Sequence, residues 1–248
     1  MVMNSVYVVT GASKGLGRSI AISIAKLGHT VVAIARKSED LDLVSSELES
    51  LSANSLAIAC DLGLSSDVEI AAKKIKSHYN HISGIIHNAG MIKPISKMLD
   101  VDIRDWERLI NVNLIGVQNL TRLLESVIGG KFHTRITTIS SGAAKRALYG
   151  WSAYCVSKAA LDMWALCMAE EGIERNISVI SIAPGIVDTD MQKEIRNADE
   201  ASFPTLSNFI DYYNNGELTN PQEVAMKLVP YCLGTSGENG ERLDVRNL

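Results

Sequence analysis

Tyr154 and Lys158 are the residues whose types and spacing most directly suggest proton-transfer chemistry. Side chains four residues apart share one face of a helix, so the phenol and the ammonium group can point into one site. A tyrosine, with an ordinary pKa of about 10, can serve as an acid here only if a nearby positive charge stabilises its phenolate. Lys158 would supply that charge. The pair predicts a general acid that protonates a nascent alkoxide, although many helices contain this spacing by chance.

A glycine-rich segment near the N-terminus has the composition of a phosphate cradle. It reads T-G-A-S-K-G-L-G over residues 10–17 and lies between a strand-like and a helix-like stretch. Glycines let the backbone approach a pyrophosphate, and the helix N-terminus adds aligned N–H groups. This context favours a dinucleotide site over an ordinary turn. The residues expected to contact the cofactor here are Gly11, Ser13, Lys14, Gly15, Leu16 and Gly17.

Two cations indicate which dinucleotide is bound. The second strand-like stretch ends at Arg36 and Lys37, and no carboxylate follows before Glu39. An NAD-selective site places Asp or Glu at this point to bind the ribose 2′-OH. Arg36 could instead form charge-assisted hydrogen bonds with a 2′-phosphate, and Lys14 could reach the same group. We therefore predict NADP(H); the alternative is that both cations are simply solvated.

Alternating strand-like and helix-like stretches must position these residues. This alternation predicts an α/β fold, a doubly wound and mainly parallel sheet of seven strands with helices on both faces. Strands are predicted over Val6–Thr10, Thr30–Ala35, Ser55–Cys60, Gly84–His87, Arg135–Ser140, Ile177–Ala183 and Arg242–Val245. Helices are predicted from the glycine turn to about Leu27, with Gly28 ending that helix, over Asp40–Leu51, Ser65–Tyr79, Asp102–Val127 and Ser152–Glu170, and from Pro221, capped by Asn220.

The segment of residues 188–216 departs from this alternation. It is longer than an ordinary strand-to-helix connection and mixes charged with aromatic residues. Long insertions of this kind are commonly lids or binding loops. We predict a substrate lid here. The sequence shows no repeat or linker, so residues 1–248 are predicted to form one domain.

Composition excludes several other classes of protein. The 248 residues carry a formal net charge of −4 and no basic block, which disfavours a nucleic-acid surface. Apolar stretches are strand-length and interrupted, so no membrane span is predicted. The start, Met1–Tyr7, lacks the basic flank and long apolar region of a signal peptide.

Cysteines and histidines show no metal-ligand or disulfide spacing. The four cysteines are far apart, which predicts buried free thiols in a reducing compartment, the cytosol by default. The five histidines are scattered, so surface or turn roles are expected and no metal site is predicted.

Taken together, the motifs resemble the short-chain dehydrogenase/reductase family along nearly the whole chain. The matching elements are T-G-x-x-x-G-x-G at 10–17, C-D-L at 60–62, H-N-A-G at 87–90, N-V-N at 111–113, Ser141, Y-x-x-x-K at 154–158 and P-G-I-V-D-T at 184–189. Ser141 precedes Tyr154 by 13 residues, as the family's serine does. The resemblance implies a Rossmann-type fold and an NADP-dependent oxidoreductase acting on carbonyl or alcohol groups.

The resemblance also implies residue roles. It assigns a catalytic group made of Asn113, Ser141, Tyr154 and Lys158. Ser140 is the alternative to Ser141, and Asn111 is the alternative to Asn113. Further cofactor contacts would come from Asp61, Leu62, Asn88, Ala89, Gly90, Pro184, Val187 and Thr189, in addition to Tyr154 and Lys158.

Two longer stretches, at residues 150–163 and 183–192, resemble sepiapterin reductases and benzil reductases. Sepiapterin reductases carry a C-terminal Asp that anchors the pterin, and Asn247 stands at that position here, with Asp244 in a structural role in the final strand. This favours a benzil-reductase-like enzyme that reduces a dicarbonyl or aromatic ketone. Sepiapterin reduction is the alternative. An inactive NADP-binding regulator is a remote one, since such proteins usually lose the Tyr or the Lys.

An apolar wall suited to an aromatic small-molecule carbonyl substrate is predicted between the 141–151 loop and the lid. Its candidate residues are Tyr149, Trp151, Met191 and Phe203, for which ordinary core packing is the alternative. Family resemblance further implies a homodimer or homotetramer that pairs the two long helices.

Overall fold

A computed structural model describes residues 5–248. The prediction that Met1–Tyr7 is not a signal peptide falls mostly on residues 1–4, which lie outside the described residues. Seven strands form one sheet: β1 Val6–Thr10, β2 Thr30–Ala35, β3 Leu56–Ala59, β4 Gly84–His87, β5 Thr134–Ile139, β6 Ile177–Ala183 and β7 Arg242–Asp244. Their order is β3-β2-β1-β4-β5-β6-β7, and all neighbours are parallel. The predicted seven-stranded α/β fold is confirmed.

Helices cover both faces of this sheet. They are α1 Gly15–Lys26, α2 Glu39–Leu51, α3 Ser65–His78, α4 Ile103–Ile110, α5 Gly116–Leu123, α6 Ser152–Glu171, α7 Asp190–Arg196, α8 Leu206–Asn214 and α9 Pro221–Cys232. The Asn220 side chain caps α9 by accepting a hydrogen bond from the Gln222 N–H (2.8 Å), as predicted. Within residues 5–248, every helix is too short or too polar to cross a membrane.

The two sides of the sheet form separate apolar cores because successive strand residues point to opposite faces. On β1, Val9 packs with α1, α2 and α9, whereas its neighbour Val8 packs with α3, α5 and α6. Burial on both faces explains the nearly continuous β-branched strands.

The predicted long helix over Asp102–Val127 forms from Ile103 to Leu123, but its geometry is not regular throughout. A π-helical turn at Asn111–Ile115 separates α4 from α5, and a 3₁₀ turn follows α5. Single π turns often occur at functional sites. Here the turn lies where Asn113 bonds a neighbouring loop and where Gly116 packs against the Leu62 carbonyl; a Cβ at Gly116 would lie 2.4 Å from that oxygen.

The predicted lid is largely helical. Residues 188–216 contain α7 and α8, which pack a third apolar cluster over the carboxyl end of the sheet. This end is where ligands bind in open α/β sheets, at the point where the strand order reverses. In this fold the reversal lies between β1 and β4.

Candidate active site

Asn88 ties the ends of β1 and β4 together at the reversal point. Its Nδ2 donates to the Thr10 carbonyl (2.9 Å) and, more weakly, to that of Gly11 (3.3 Å). The N–H groups of Asn88 and Ala89 donate in return to Thr10 Oγ1, at 3.0 and 3.1 Å. These bonds fix the start of the glycine turn.

The glycine turn has a shape that other residues could not adopt. Gly11 and Gly15 have φ angles of +65° and +56°, in the left-handed region. A Cβ at Gly17 would lie 2.3 Å from both Asn88 Nδ2 and the Gly11 carbonyl oxygen. Because residues 13–15 are partly or fully exposed and the turn leads into the N-terminus of α1, it fits a dinucleotide pyrophosphate.

Tyr154 and Lys158 lie on α6 and are both buried, with exposed fractions of 6% and 4%. The Lys158 ammonium donates to the Ile139 carbonyl (2.8 Å) and lies 5.8 Å from the centre of the Tyr154 ring. The Ser141 hydroxyl accepts a hydrogen bond from the Ala143 N–H (3.1 Å). Ser140 differs: its hydroxyl is buried and has no partner within the described part of the chain.

Asn113 is completely buried and joins three elements. Its Oδ1 accepts from the Met91 N–H (2.7 Å), and its Nδ2 donates to the Met91 carbonyl and to Ser157 Oγ, both at 3.0 Å. Ser157 in turn donates to the Tyr154 carbonyl (2.8 Å). The asparagine therefore connects the loop after β4 to α6. A Cβ at Gly90 would approach Asn113 Oδ1 and Lys158 Nζ to 3.5 and 3.6 Å, so the H-N-A-G segment borders the same site.

Burial determines the protonation behaviour of the tyrosine and the lysine. It raises the pKa of Tyr154 to about 12, against the smaller lowering effect of a hydrogen bond with Ser141, and this direction is opposite to the one expected from a stabilising charge on Lys158. Burial also lowers the pKa of Lys158 to about 8, and the Asp162 carboxylate acts in the opposite direction. Strong perturbation of two neighbouring groups is typical of functional sites.

The outer part of the predicted cofactor site contains a carboxylate that is already paired. Burial opposes ionisation of Asp61, but hydrogen bonds from the Arg108 guanidinium and the Gly63 N–H lower its pKa overall. Arg36 is exposed at the end of β2 and its charge contributes to this lowering. Sequence reasoning missed Arg108, which lies 47 residues from Asp61 and belongs to no motif.

Lys14 contacts the segment after β6. Its ammonium forms an ion pair with Asp190 (2.7 Å), and both side chains are about half exposed. A Cβ at Gly15 would lie 3.1 Å from Thr189 Cγ2, so the glycine turn and the P-G-I-V-D-T segment touch. The structure therefore places the Lys14 side chain at Asp190, a partner 176 residues away that no sequence motif indicates.

An aromatic wall lies directly beside Tyr154. Trp151 stacks on Phe203 (ring centres 4.8 Å apart, 15° between planes) and meets Tyr154 edge-on at 5.5 Å. Met191 packs against the same cluster, whereas Tyr149 is 53% exposed and lies outside it. Phe209, 5.3 Å from Trp151, was missed, although the aromatic residues of the predicted lid were the signal that could have found it.

A cavity of about 420 Å³ lies between the loop after β4, α4 and α7, and three of its lining residues, Met91, Ile95 and Ala198, pack against the aromatic cluster. Its volume is within the range of small-molecule sites. The residues that line it are Met91, Lys93, Pro94, Ile95, Asp105, Arg108, Glu194, Asn197 and Ala198.

His87 corrects the expectation that the histidines have surface or turn roles. It is 1% exposed, and burial lowers its pKa to about 3, so the ring is neutral. Its Nε2 lies 2.9 Å from Thr121 Oγ1. Because that hydroxyl donates to the Val117 carbonyl, the ring donates to Thr121. In residues 5–248 no group of three His, Cys, Asp or Glu side chains could hold a metal ion.

The sequence model of the short chain dehydrogenase family matches residues 5–200. The chain belongs to this family. Among its relatives, a benzil reductase ((S)-benzoin forming) of Bacillus subtilis is 33% identical, with 97% of this chain and 98% of the relative covered. An NADPH-dependent pterin aldehyde reductase of Arabidopsis thaliana is 34% identical over 74% of this chain and 75% of its own length. The solved structure of the KRED1-Pglu enzyme is 31% identical, with a TM-score of 0.85 over 96% of this chain and 99% of that one.

Membership of the family makes this protein an NAD(P)-dependent oxidoreductase. The nicotinamide cofactor, when bound, supplies or accepts a hydride. The glycine turn, the Asn88 segment and the buried tyrosine and lysine all lie at the carboxyl edge of the sheet, where open α/β sheets bind their ligands.

Proposed function

We propose that this protein is an NADPH-dependent carbonyl reductase whose substrates are dicarbonyls of the benzil type or aromatic ketones. The observation that carries the proposal is the stacked pair of Trp151 and Phe203 against the ring of Tyr154. Offset-stacked and edge-on contacts are the arrangements that aromatic rings prefer. Trp151 and Phe203 are 4% and 0% exposed, so they form buried apolar packing behind the proton donor, and this surrounding favours an aryl group over a charged group next to the reacting carbonyl.

The residues around Tyr154 have complementary roles in this proposal. The phenol donates its proton to the carbonyl oxygen as negative charge develops there. Ser141 hydrogen-bonds the same oxygen and keeps it in place. The Lys158 ammonium stabilises the phenolate that remains. Asn113 holds the loop after β4 against α6, and its bond to Ser157 orients the turn of helix that carries Tyr154.

NADPH is the proposed cofactor because the exposed cation Arg36 directly follows β2, where an NAD-selective site carries an acid. The name of the Arabidopsis relative, an NADPH-dependent reductase, supports the same choice. Lys14 would have to leave Asp190 to contribute to the 2′-phosphate contact.

Reduction of a pterin side-chain carbonyl is the second candidate, and the 34% identical pterin aldehyde reductase favours it. Against it, the C-terminal position that resemblance links to pterin anchoring is occupied by Asn247, which is exposed and uncharged.

The test follows NADPH oxidation with benzil and with sepiapterin, using Tyr154→Phe as the inactive comparison. We expect benzil turnover that falls at least about 1,000-fold in the variant, as expected when a general acid is lost, while NADPH still binds. Rapid sepiapterin reduction without benzil turnover would transfer the proposal to the pterin substrate.

The proposal extends to assembly and location. Exposed apolar side chains lie on α6 and on the turn before α5, including Ile115, Val156, Met163 and Leu166, and we infer that they pack against a second copy to form a homodimer or homotetramer. All four cysteines are free thiols, which favours the reducing environment of the cytosol, but the prediction that all are buried is wrong: Cys155 is half-buried and Cys167 is exposed.

A further inference from the structure

Arg242, on β7 near the C-terminal end of the chain, contacts two elements of the candidate active site. Its Nε donates to Asp162 Oδ2 on α6 (2.6 Å), and its Nη2 donates to the Ser141 carbonyl after β5 (3.0 Å). The Arg242 and Asp162 side chains are only 20% and 15% exposed, so water screens this pair weakly. One guanidinium therefore joins the helix of Tyr154 and Lys158 to the segment of Ser141.

Asp162 is held on both carboxylate oxygens. While Arg242 bonds Oδ2, the Ser181 hydroxyl donates to Oδ1 (2.5 Å). Asp162 follows Lys158 by one helical turn and lies on the same face of α6. A carboxylate fixed in this way also fixes the end of the Arg242 guanidinium that faces the helix.

The Ser141 carbonyl reaches another element of the fold through its hydrogen bond from Arg242. Its carbonyl accepts from the Ala144 N–H (3.1 Å) and its hydroxyl accepts from the Ala143 N–H (3.1 Å), both within the same short turn. These two bonds shape the turn without reaching α6. Lys158 of α6 holds the end of the preceding strand through the Ile139 carbonyl (2.8 Å). Arg242, anchored on Asp162, adds the bond to the carbonyl of Ser141 itself.

We propose that Arg242 is a positioning residue for carbonyl reduction, which holds Ser141 at a fixed distance from the Tyr154 and Lys158 helix. It acts through Ser141 and Asp162 and does not touch the reacting atoms. The role rests on the proposed function, since Ser141 matters for rate only if it binds the substrate oxygen. Small displacements of a positioned group can reduce the rate by as much as about 100-fold.

Arg242→Met tests this role, and Arg175→Met is its matched control. Arg175 also donates to a backbone carbonyl at 3.0 Å, that of Glu125, and also lies beside a carboxylate, but it joins segments away from the site. We expect Arg242→Met to lower kcat for NADPH-dependent benzil reduction about 10-fold or more. The Kd of NADPH should stay within about twofold of the wild-type value, and Arg175→Met should leave both quantities unchanged.

Arg242→Lys is the second variant, and it still tests the proposal if Arg242→Met does not fold. A lysine retains the charge beside Asp162 but has no fork with which to reach both acceptors. We expect it to fold and to show a loss of kcat between the wild-type and Met values. A folded Met or Lys variant with the kcat of the wild type would overturn the proposal.

A second measurement needs no substrate. Amide hydrogen exchange at Ala144, whose N–H donates to the Ser141 carbonyl, should be faster in Arg242→Met or Arg242→Lys and unchanged in Arg175→Met. Unchanged exchange in the Arg242 variants would contradict the positioning role. If the wild-type protein fails to reduce benzil, the proposed function fails, whereas this exchange result still decides whether Arg242 positions Ser141.

Discussion

Lys158 carries a buried ammonium group that the proposed reaction needs but that lowers the stability of the folded protein. Its pKa is lowered by burial from an ordinary 10.5 to about 8. Below pH 8 both the folded and the unfolded chain hold the proton, and the folded state bears the full cost of the buried charge. Between pH 8 and 10.5 the unfolded chain binds more protons, so the stability attributable to this group rises with pH.

We therefore expect Lys158→Met to abolish activity yet raise the free energy of unfolding at pH 7. The gain should be about 2 kcal/mol, after subtraction of about 1 kcal/mol for the lost hydrogen bond to the Ile139 carbonyl. It should shrink as the pH approaches 10.5. Denaturant unfolding at pH 7 and pH 10 measures both values, with the exposed Lys73→Met as control. A less stable variant at pH 7 would show that packing outweighs the charge.

Arg36 is the single residue that we expect to determine the preference for NADPH over NADH. Charge-assisted hydrogen bonds are worth about 1.5–3 kcal/mol, or roughly 10- to 100-fold in affinity. We expect Arg36→Asp to weaken NADPH binding by that factor and to leave NADH binding unchanged or stronger, as measured by quenching of protein fluorescence. An equal loss for both cofactors would mean that Arg36 does not contact the 2′-phosphate.

At the scale of elements, β1, α1 and β4 approach one another so closely at Gly17 that no side chain fits there. A Cβ there would overlap Asn88 Nδ2 and the Gly11 carbonyl oxygen, both at 2.3 Å. We expect Gly17→Ala to lower the free energy of unfolding by about 1–3 kcal/mol and to weaken NADPH binding. Gly142→Ala is the control for stability, since a Cβ at Gly142 meets no atom within 4 Å. Wild-type stability and affinity in Gly17→Ala would contradict this view of the turn.

At the scale of the whole molecule, the inferred interface between copies lies on α6. Met163 on α6 is 59% exposed among other apolar side chains, and Ile70 on α3 is 66% exposed. If α6 pairs with a second copy, Met163→Glu should place a charge in the interface and shift the mass in light scattering toward the monomer. Ile70→Glu should leave the mass of the assembly unchanged. A monomeric wild-type protein, or an unchanged mass in Met163→Glu, would contradict the inferred interface.

The sequence by itself determined the architecture and the residues that resemble a catalytic group. Strand and helix periodicity, the glycine turn and the i,i+4 pair of Tyr154 and Lys158 are local signals, because each depends on neighbouring residues along the chain. Element bounds differ from the structure mostly by one or two residues, as at β5 and α6.

Only the tertiary structure decided the contacts between residues distant in sequence. The pairing of Arg108 with Asp61, of Lys14 with Asp190 and of Arg242 with Asp162 spans 47, 176 and 80 residues. No local pattern specifies such a pair, because any exposed arginine or lysine could serve until the fold brings one of them near. The π turn at Asn111–Ile115 has the same origin. It arises where the helix accommodates Asn113 bonding to Met91 and Gly116 packing against Leu62, which are properties of the packed chain.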